Sequence, residues 1–377
     1  MVTSFSMLST YPPTQCGLAT FAYALSTELV ASGSRVDVVR VVDGPAAPVE
    51  LVTTELETLD RSTMRAAAEA LNACDVAIVQ HEYGIFGGPD GADVVDLLDQ
   101  VRVPIIVVLH TVLANPTLHQ HQVLAQVISS ASTVVTMTET ARRRLLRGWR
   151  IDAAKVRVIA HGAADNRAVP GLVAPAVDAR PTILTWGLMG EGKGIEWAIP
   201  AVAELADLVP APRYRIVGET HPRVVERDGE RYRESLSALV SDLGIEEMVC
   251  LEGDYLDEAS LRAVVRDADV VLLPYDSRDQ VTSGVLTEAV VAGKPVVSTA
   301  FPHAVELLSS GAGILVPQRD PKAIAAALRR VLTEPGLAVS MGSIASDLAP
   351  GLLWSGVAAE YTRLGRSLVA ATSLSVA

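Results

Sequence analysis

The chain has 377 residues, about twice the usual length of a single domain, so we expect two hydrophobic cores. Its formal net charge of −13 argues against nucleic acid as a partner, because a phosphate backbone requires clustered cations. No run of about 18 apolar residues exists, no lysine or arginine precedes Arg35, and residues 9–15 are polar and proline-containing, so we expect neither a membrane span nor a secretory signal.

Strand-like and helix-like segments alternate along the chain, a pattern typical of α/β layers around parallel sheets. The first series opens with apolar residues at helical spacing from Leu18 to Leu29. Apolar runs of strand length then follow, with segments suited to helices between them. These predicted strands are residues 36–42, 75–80, 105–109, 133–137 and 156–159.

A second series follows a proline-rich stretch, and its predicted strands are residues 182–186, 213–217, 248–251, 269–273, 295–298 and 313–316. We therefore predict four parts: a Rossmann-like domain at residues 1–165, a linker at 166–181, a second Rossmann-like domain at 182–350 and a C-terminal helix at 351–377. Two doubly wound domains are expected to leave a cleft between them. Ligands of such sheets bind beyond the carboxyl ends of the strands, so the loops after the strands are the candidate sites.

The segment from residue 281 to residue 297 is a small-residue turn that leads into a short helix and then a buried strand. Thr282, Ser283 and Gly284 offer hydroxyls and backbone N–H groups where the helix begins, which favours phosphate. Glu288 follows one turn later and can accept hydrogen bonds from a sugar diol. The alternative is an ordinary strand connection with a capped helix.

Other loops of the second half suit the same ligand. Gly187 opens a loop of four glycines that also carries Lys193, a point charge for phosphate, and Gly218 follows the next strand. Tyr255 lies in a turn that can form a slot for a planar base. Lys193 is alternatively a surface lysine, and Tyr255 plain packing.

The first half contributes different groups. Gly17 opens a helix and can direct N–H groups at a phosphate. His81 and His110 follow two neighbouring predicted strands, which favours contact with a ligand over a purely structural role. We predict no metal site, because no Cys/His cluster with metal-ligand spacing accompanies the histidines. A Gly-x-Ser-x-Gly elbow is absent, which disfavours a serine hydrolase.

Arginines are concentrated between Arg142 and Arg150, around two leucines and a tryptophan. This spacing allows a basic amphipathic helix at an anionic lipid surface, or a solvated helix face. Cys16, Cys74 and Cys250 form no Cys-x-x-Cys pair and suit a reducing compartment. We place the protein in the cytoplasm, with contact at the inner face of the membrane as the open alternative.

Taken together, these motifs resemble the retaining nucleotide-sugar glycosyltransferases of the GT-B fold, in group 1 and similar to family 4, with glycogen-synthase-like and phosphatidylinositol-mannosyltransferase-like members. The resemblance covers essentially the whole chain. Its most specific parts are residues 282–297, the loop at 187–194, the Gly17 loop and residues 158–162.

The resemblance implies a role for each of these groups. Glu288 would bind the ribose, Lys193 the diphosphate, and the amides of Gly284 and Val285 the distal phosphate. Gly17 would approach from the first domain, and His110 would contact the transferred sugar. The C-terminal helix would pack back on the first domain.

Two residues depart from the pattern of the family. Its usual glutamate eight positions before Glu288 is Gln280 here, and its usual arginine five positions before Lys193 is Leu188. An amide at position 280 can still bond sugar hydroxyls, and it is kept among the donor-binding residues.

The sequence predicts transfer of a sugar from a nucleotide diphosphate sugar to a hydroxyl acceptor with retention at the anomeric carbon, and without metal or cofactor. The acceptor is a carbohydrate, a lipid-linked sugar or a small molecule. The alternatives are an epimerase or phosphorylase on the same fold, and a weakly active or non-catalytic relative that binds nucleotide sugars.

Overall fold

A computed structural model describes residues 3–44, 46–167, 180–254, 256–277 and 279–376. The chain divides into two compact units, one made of Met1–Gly162 and Trp354–Ala377 and the other of Ala163–Leu353. Most of the predicted linker, residues 168–179, lies outside the described residues. Within the described ranges, no helix is long and apolar enough to cross a membrane.

The first unit is built around a parallel sheet whose strands are β1 (Ser4–Ser9), β2 (Arg35–Val42), β3 (Val52–Glu57), β4 (Val76–His81), β5 (Ile105–Leu109), β6 (Thr133–Thr136) and β7 (Val156–Val158). Among the described residues the strand order is β3-β2-β1-β4-β5-β6-β7, so the chain winds outward from the centre in both directions. Helices cover this sheet: α1 (Gly17–Ala31), α2 (Met64–Leu71), α3 (Asp93–Leu98), α4 (Leu118–Ser130) and α5 (Glu139–Gly148).

Two strands of this sheet are not predicted by the sequence. The central strand β1 carries serines among its apolar residues, and the buried hydroxyl of Ser6 donates to the carbonyl of Leu71 at 2.9 Å. The edge strand β3 is rich in threonine and glutamate, because it is covered only in part. The five strands predicted in this half are confirmed.

The second unit repeats the design, and all six of its predicted strands are confirmed. They are β8 (Thr182–Trp186), β9 (Arg213–Val217), β10 (Val249–Glu252), β11 (Val270–Leu273), β12 (Val296–Thr299) and β13 (Gly313–Val316). Their order in the described part of the chain is β10-β9-β8-β11-β12-β13. The helices are α6 (Ile195–Ala203), α7 (Pro222–Asp228), α8 (Arg231–Asp242), α9 (Glu258–Asp267), α10 (Gly284–Val291), α11 (Pro302–Leu308), α12 (Pro321–Thr333) and α13 (Leu337–Leu348).

The last helix, α14 (Trp354–Val376), returns to the first unit and packs against α1. Val357 and Tyr361 join the core that also contains Phe5 and Phe21, and Tyr361 is completely buried. Burial of the Tyr361 ring favours folding, while its hydroxyl has no hydrogen-bond partner among the described residues. The final segment of the chain therefore completes the core of the first unit.

Gly162 marks the point where α14 docks. A Cβ atom at this position would lie only 2.1 Å from Cε3 of the Trp354 ring. The indole also packs edge-on against Phe21, with 5.0 Å between ring centroids. The absence of a side chain at Gly162 thus makes room for the tryptophan that begins the helix.

We predict that Gly162→Ala lowers the free energy of unfolding by about 1–3 kcal/mol, because the added methyl group must displace a packed indole. Urea denaturation followed by circular dichroism measures the change. Gly148→Ala is the control, since a Cβ there would meet no described atom within 4 Å apart from its chain neighbours and its own helix. This control should be neutral or stabilising by up to about 1 kcal/mol, because alanine favours a helix more than glycine does. Equal stability of the two variants would contradict the packing argument.

Candidate functional site

The loops at the carboxyl edge of the second sheet are packed backbone against backbone. At Gly218, whose φ is +138°, a Cβ would lie 2.3 Å from the carbonyl oxygen of Gly187. At Gly194, with φ +69°, a Cβ would lie 1.9 Å from the carbonyl oxygen of Pro274. Neither position admits another residue without displacing a neighbouring loop. The glycines therefore bring the loops after β8, β9 and β11 together.

Lys193 projects from the first of these loops. Its ammonium nitrogen lies 4.6 Å from the centroid of the Tyr275 ring, a cation–π arrangement. That ring is buried and stacks on Phe301, with 5.0 Å between centroids. The aromatic pair therefore positions the ammonium group of Lys193 beside the loops.

The N-terminus of α10 lies next to the same loops, because a Cβ at Gly187 would be 3.6 Å from a methyl of Val285. The Ser283 hydroxyl caps the helix by accepting from the N–H of Leu286 at 3.2 Å. The amides of Gly284 and Val285 belong to the first turn, where helix geometry provides no internal acceptor. Thr282 is buried, and its hydroxyl has no hydrogen-bond partner among the described residues. This end of the helix is suited to an anion.

Gln280 lies just before this turn. Its side-chain amide donates a hydrogen bond to the carbonyl of Thr282. The structure therefore places the predicted sugar contact against its own loop.

Glu288 lies one turn into α10 and is partly buried. Its carboxylate accepts a hydrogen bond from the indole N–H of Trp186 at 3.2 Å. Burial raises the pKa of this carboxyl from its ordinary value of 4.5 to about 7, and the indole bond opposes the shift only in part. The group changes charge close to neutral pH.

The histidines of the first unit lie at neighbouring strand ends, as predicted. His81 is the last residue of β4, and His110 directly follows β5, the adjacent strand. Nε2 of His110 donates to Oε1 of Gln80 at 2.7 Å. Burial lowers the pKa of His110 to about 3 and that of His81 to about 4. Both rings are therefore neutral at physiological pH.

Two polar atoms near His81 are buried without a hydrogen-bond partner in the described part of the chain. They are Nδ1 of His81 and the hydroxyl of Tyr83, whose rings meet edge-on at 5.2 Å. Gly17 is the first residue of α1, and a Cβ built there would meet no described atom within 4 Å apart from its chain neighbours and its own helix. Its backbone is open to a ligand.

The arginine-rich helix α5 packs its apolar side into the first unit. Leu145 and Trp149 are buried, and the guanidinium of Arg144 donates to the carbonyl of Val112 at 2.8 Å. Arg143 and Arg147 on α5, and Arg150 just beyond its end, remain exposed. The outer face is therefore cationic but carries no large apolar anchor.

Two glycosyltransferase family models match the chain. The model described as Glycosyl transferases group 1 matches residues 180–334, and the model described as Glycosyltransferase Family 4 matches residues 16–167. The chain belongs to the group 1 glycosyltransferases. The loops at Gly187, Lys193 and Glu288 all lie within the group 1 match.

Curated relatives of the chain include a D-inositol 3-phosphate glycosyltransferase of Kineococcus radiotolerans. It is 32% identical over 262 residues, which are 63% of this chain and 57% of the relative. An alpha-D-kanosaminyltransferase of Streptomyces kanamyceticus is 26% identical over 230 residues, or 59% of this chain and 56% of the relative. The chain thus spans a little over half the length of these relatives.

Solved structures show the fold of this group 1 member. Sucrose-phosphate synthase from Thermosynechococcus elongatus superposes with a TM-score of 0.77 at 20% identity, over 98% of this chain and 100% of that one. Anabaena HepE in complex with UDP and glucose gives a TM-score of 0.77 at 16% identity, over 97% of this chain and 100% of that one. The fold is GT-B, as the resemblance implies.

Some site features could not be predicted from the sequence, and one prediction lies outside the described residues, namely that for Tyr255. Trp186, Gln80 and His303 contact predicted site residues but were not themselves predicted. Gln80 had a signal, since it directly precedes His81. In the described residues, no group of three or more His, Cys, Asp or Glu side chains is arranged to hold a metal ion.

The raised pKa of Glu288 predicts a specific dependence of stability on pH. Between about pH 4.5 and pH 7 the folded chain retains a proton that the unfolded chain loses, so stability falls as pH rises through this window. Glu288→Gln should abolish this loss. In urea titrations, the unfolding free energy of the variant minus that of wild type should increase by about 1–3 kcal/mol from pH 5 to pH 8. A constant difference between the two proteins at both pH values would contradict the shift.

Proposed function

We propose that this protein transfers a sugar from a nucleotide diphosphate sugar to a hydroxyl acceptor, with retention at the anomeric carbon and without a metal ion. The observation that carries the proposal lies in the second unit. There a lysine ammonium, the open N-terminus of α10 and a partly buried carboxylate are held together by packed glycine loops. A cation and helix amides suit a diphosphate, and a carboxylate suits the diol of a ribose.

In this proposal the donor binds to the second unit. The amides of Gly284 and Val285 hold the distal phosphate, Lys193 neutralises the diphosphate and Glu288 accepts hydrogen bonds from the ribose. As the sugar departs, negative charge grows on the leaving phosphate. Preorganised amides and an ammonium stabilise that charge more strongly in the transition state than in the ground state. The same groups would make a divalent cation unnecessary.

We assign the acceptor to the first unit. His110 is neutral and oriented by Gln80, so it suits hydrogen bonding to sugar hydroxyls rather than charge stabilisation. The acceptor proton passes to the leaving phosphate oxygen, which needs no protein base and leaves the new bond on the face that the phosphate vacates. Retention follows from that geometry.

The names of the relatives support the class of reaction and the choice of first substrates. They include transferases named for D-inositol 3-phosphate and for kanosaminyl transfer. HepE was crystallised with UDP and glucose, and also with UDP-glucose. UDP-sugars are therefore the first donors to test, with polyol and sugar acceptors.

A second candidate function for this protein is binding of nucleotide sugars with little or no turnover. Two residues favour it, because Gln280 and Leu188 stand where the family pattern has a carboxylate and an arginine. Loss of a guanidinium removes a bidentate contact to phosphate. Measurable donor binding without product would identify this case.

Incubation with a panel of nucleotide sugars, with and without acceptors, separates the two candidates through release of nucleoside diphosphate. We expect acceptor-dependent release that persists in EDTA, since the proposed phosphate contacts are all protein groups. NMR of the product should show the anomeric configuration of the donor. Activity that EDTA abolishes and Mg²⁺ restores would contradict metal independence, and an inverted product would contradict retention.

Lys193→Ala should lower kcat/KM about 100-fold, because the leaving diphosphate loses its ammonium in a preorganised site. Thermal unfolding should change little, since the ammonium rests on a ring that stays packed on Phe301. Lys322→Ala is the matched control, an exposed lysine on α12 of the same unit. If both variants have the activity of wild type, Lys193 does not bind the donor.

We also propose a cytoplasmic location, supported by three free cysteines. The exposed arginines of α5 make contact with anionic lipid an additional proposal. Vesicle flotation with and without phosphatidylserine tests that contact. Binding that is equal on neutral and anionic vesicles would contradict an electrostatic contact.

A further inference from the structure

We infer that His303 and Gln280 are positioning residues that together fix the backbone at the N-terminus of α10. They form a clamp, defined here as the hydrogen bonds that connect residues 280, 282, 283 and 303. The inference rests on the proposed function for the identity of its ligand, a nucleoside diphosphate. The clamp itself is a property of the free protein.

His303 lies in the first turn of α11 and is 5% exposed. Its Nδ1 accepts a hydrogen bond from the backbone N–H of Ser283 at 2.8 Å. Ser283 is the residue that caps α10, and its backbone is extended, with φ −140° and ψ 112°. A buried N–H in this position requires an acceptor, because leaving it without one is costly. The imidazole therefore selects the backbone orientation from which the helix begins.

The bond also defines the chemical state of the ring. Nδ1 can accept only if it carries no proton, so the ring proton resides on Nε2. A cationic imidazole has no acceptor at Nδ1 and would break the clamp. Position 303 therefore requires a side chain whose hydrogen-bond acceptor lies where Nδ1 of the histidine lies.

Gln280 completes the clamp from the other side. Its side-chain NH2 group donates to the backbone carbonyl of Thr282. Its backbone carbonyl accepts from the backbone N–H of His303 at 3.3 Å. A glutamate at position 280 would place a carboxylate oxygen against the carbonyl oxygen of Thr282. The two acceptors would repel each other. The amide is therefore matched to this loop, and Gln280 acts through Thr282 rather than by touching a sugar.

The clamp has a consequence for the helix it precedes. The amides of Gly284 and Val285 are the next two after Ser283, so their directions depend on the peptide plane that His303 holds. Binding of phosphate by these amides then requires no reordering of the turn. Preorganisation of this kind raises affinity by reducing the entropy lost on binding.

Two isosteric variants of His303 separate this role from simple packing. Asparagine places its side-chain oxygen at about the position of Nδ1, whereas glutamine places it at about the position of Nε2. Hydrogen exchange of peptides covering Ser283, in the free protein, measures the bond directly. We expect these peptides of His303→Asn to exchange as slowly as those of wild type. Those of His303→Gln should exchange about tenfold faster.

Calorimetric titration with UDP, and with GDP and ADP if UDP does not bind, then measures the effect on the site. The nucleotide should bind about tenfold more weakly to His303→Gln, and His303→Asn should recover most of that loss. Gln280→Glu should also weaken binding, and more than Gln280→Ala does. Equal behaviour of the asparagine and glutamine variants, or binding by Gln280→Glu as tight as wild type, overturns the clamp.

Separate results would contradict the clamp and the proposed function. If the exchange pattern follows the expectation while no nucleoside diphosphate binds wild type, the clamp is supported and the proposed function is wrong. If nucleotides bind wild type and all His303 variants alike, the proposed function is supported and the clamp is wrong.

Discussion

Contact between backbones at Gly187, Gly194 and Gly218 is the constraint on which the arrangement of the second unit depends. A Cβ at Gly194 would lie 1.9 Å from the carbonyl oxygen of Pro274, and one at Gly218 would lie 2.3 Å from that of Gly187. Because the loops are locked in this way, Trp186 at the end of β8 reaches Glu288, and Lys193 reaches the ring of Tyr275. A run of glycines that looks flexible in sequence is here a means of close packing.

The two units differ in the electrostatics of the groups at their strand ends. In the second unit the candidate groups are an ammonium, a helix N-terminus and a carboxylate whose pKa lies near neutrality. In the first unit they are neutral imidazoles, since burial lowers the pKa of His81 and His110 well below physiological pH. Charged groups suit a diphosphate, whereas neutral hydrogen-bonding groups suit hydroxyls, and this division parallels the proposed assignment of donor and acceptor.

The sequence was a good guide wherever a structure depends on residues close together in the chain. Continuous apolar runs predicted the buried strands, and turn-plus-helix patterns predicted where Ser283 and Gly17 begin their helices. β1 escaped prediction because Ser4 and Ser6 find their hydrogen-bond partners only in the folded unit, and β3 because an edge strand needs little apolar surface.

The parts of the site that sequence reasoning missed depend on distant residues. The indole of Trp186 meets a carboxylate 102 positions away, and His303 meets an amide 20 positions away on another element. A local sequence pattern cannot predict contacts between residues so far apart in the chain. The raised pKa of Glu288 is likewise a property of its surroundings, because the residue type alone indicates an ordinary carboxylate.

The return of α14 has a consequence for how the protein is made. The core of the first unit includes Phe5 and Phe21 near the beginning of the chain and Tyr361 near its end, whereas Ala163–Leu353 is one continuous stretch. A ribosome delivers the second unit whole before it delivers the last helix of the first. Domains usually fold in the order of their synthesis, but here the unit that starts first receives part of its core only with the residues added last. Until α14 emerges, the apolar face that it covers is open to water, or to any chaperone that binds nascent chains.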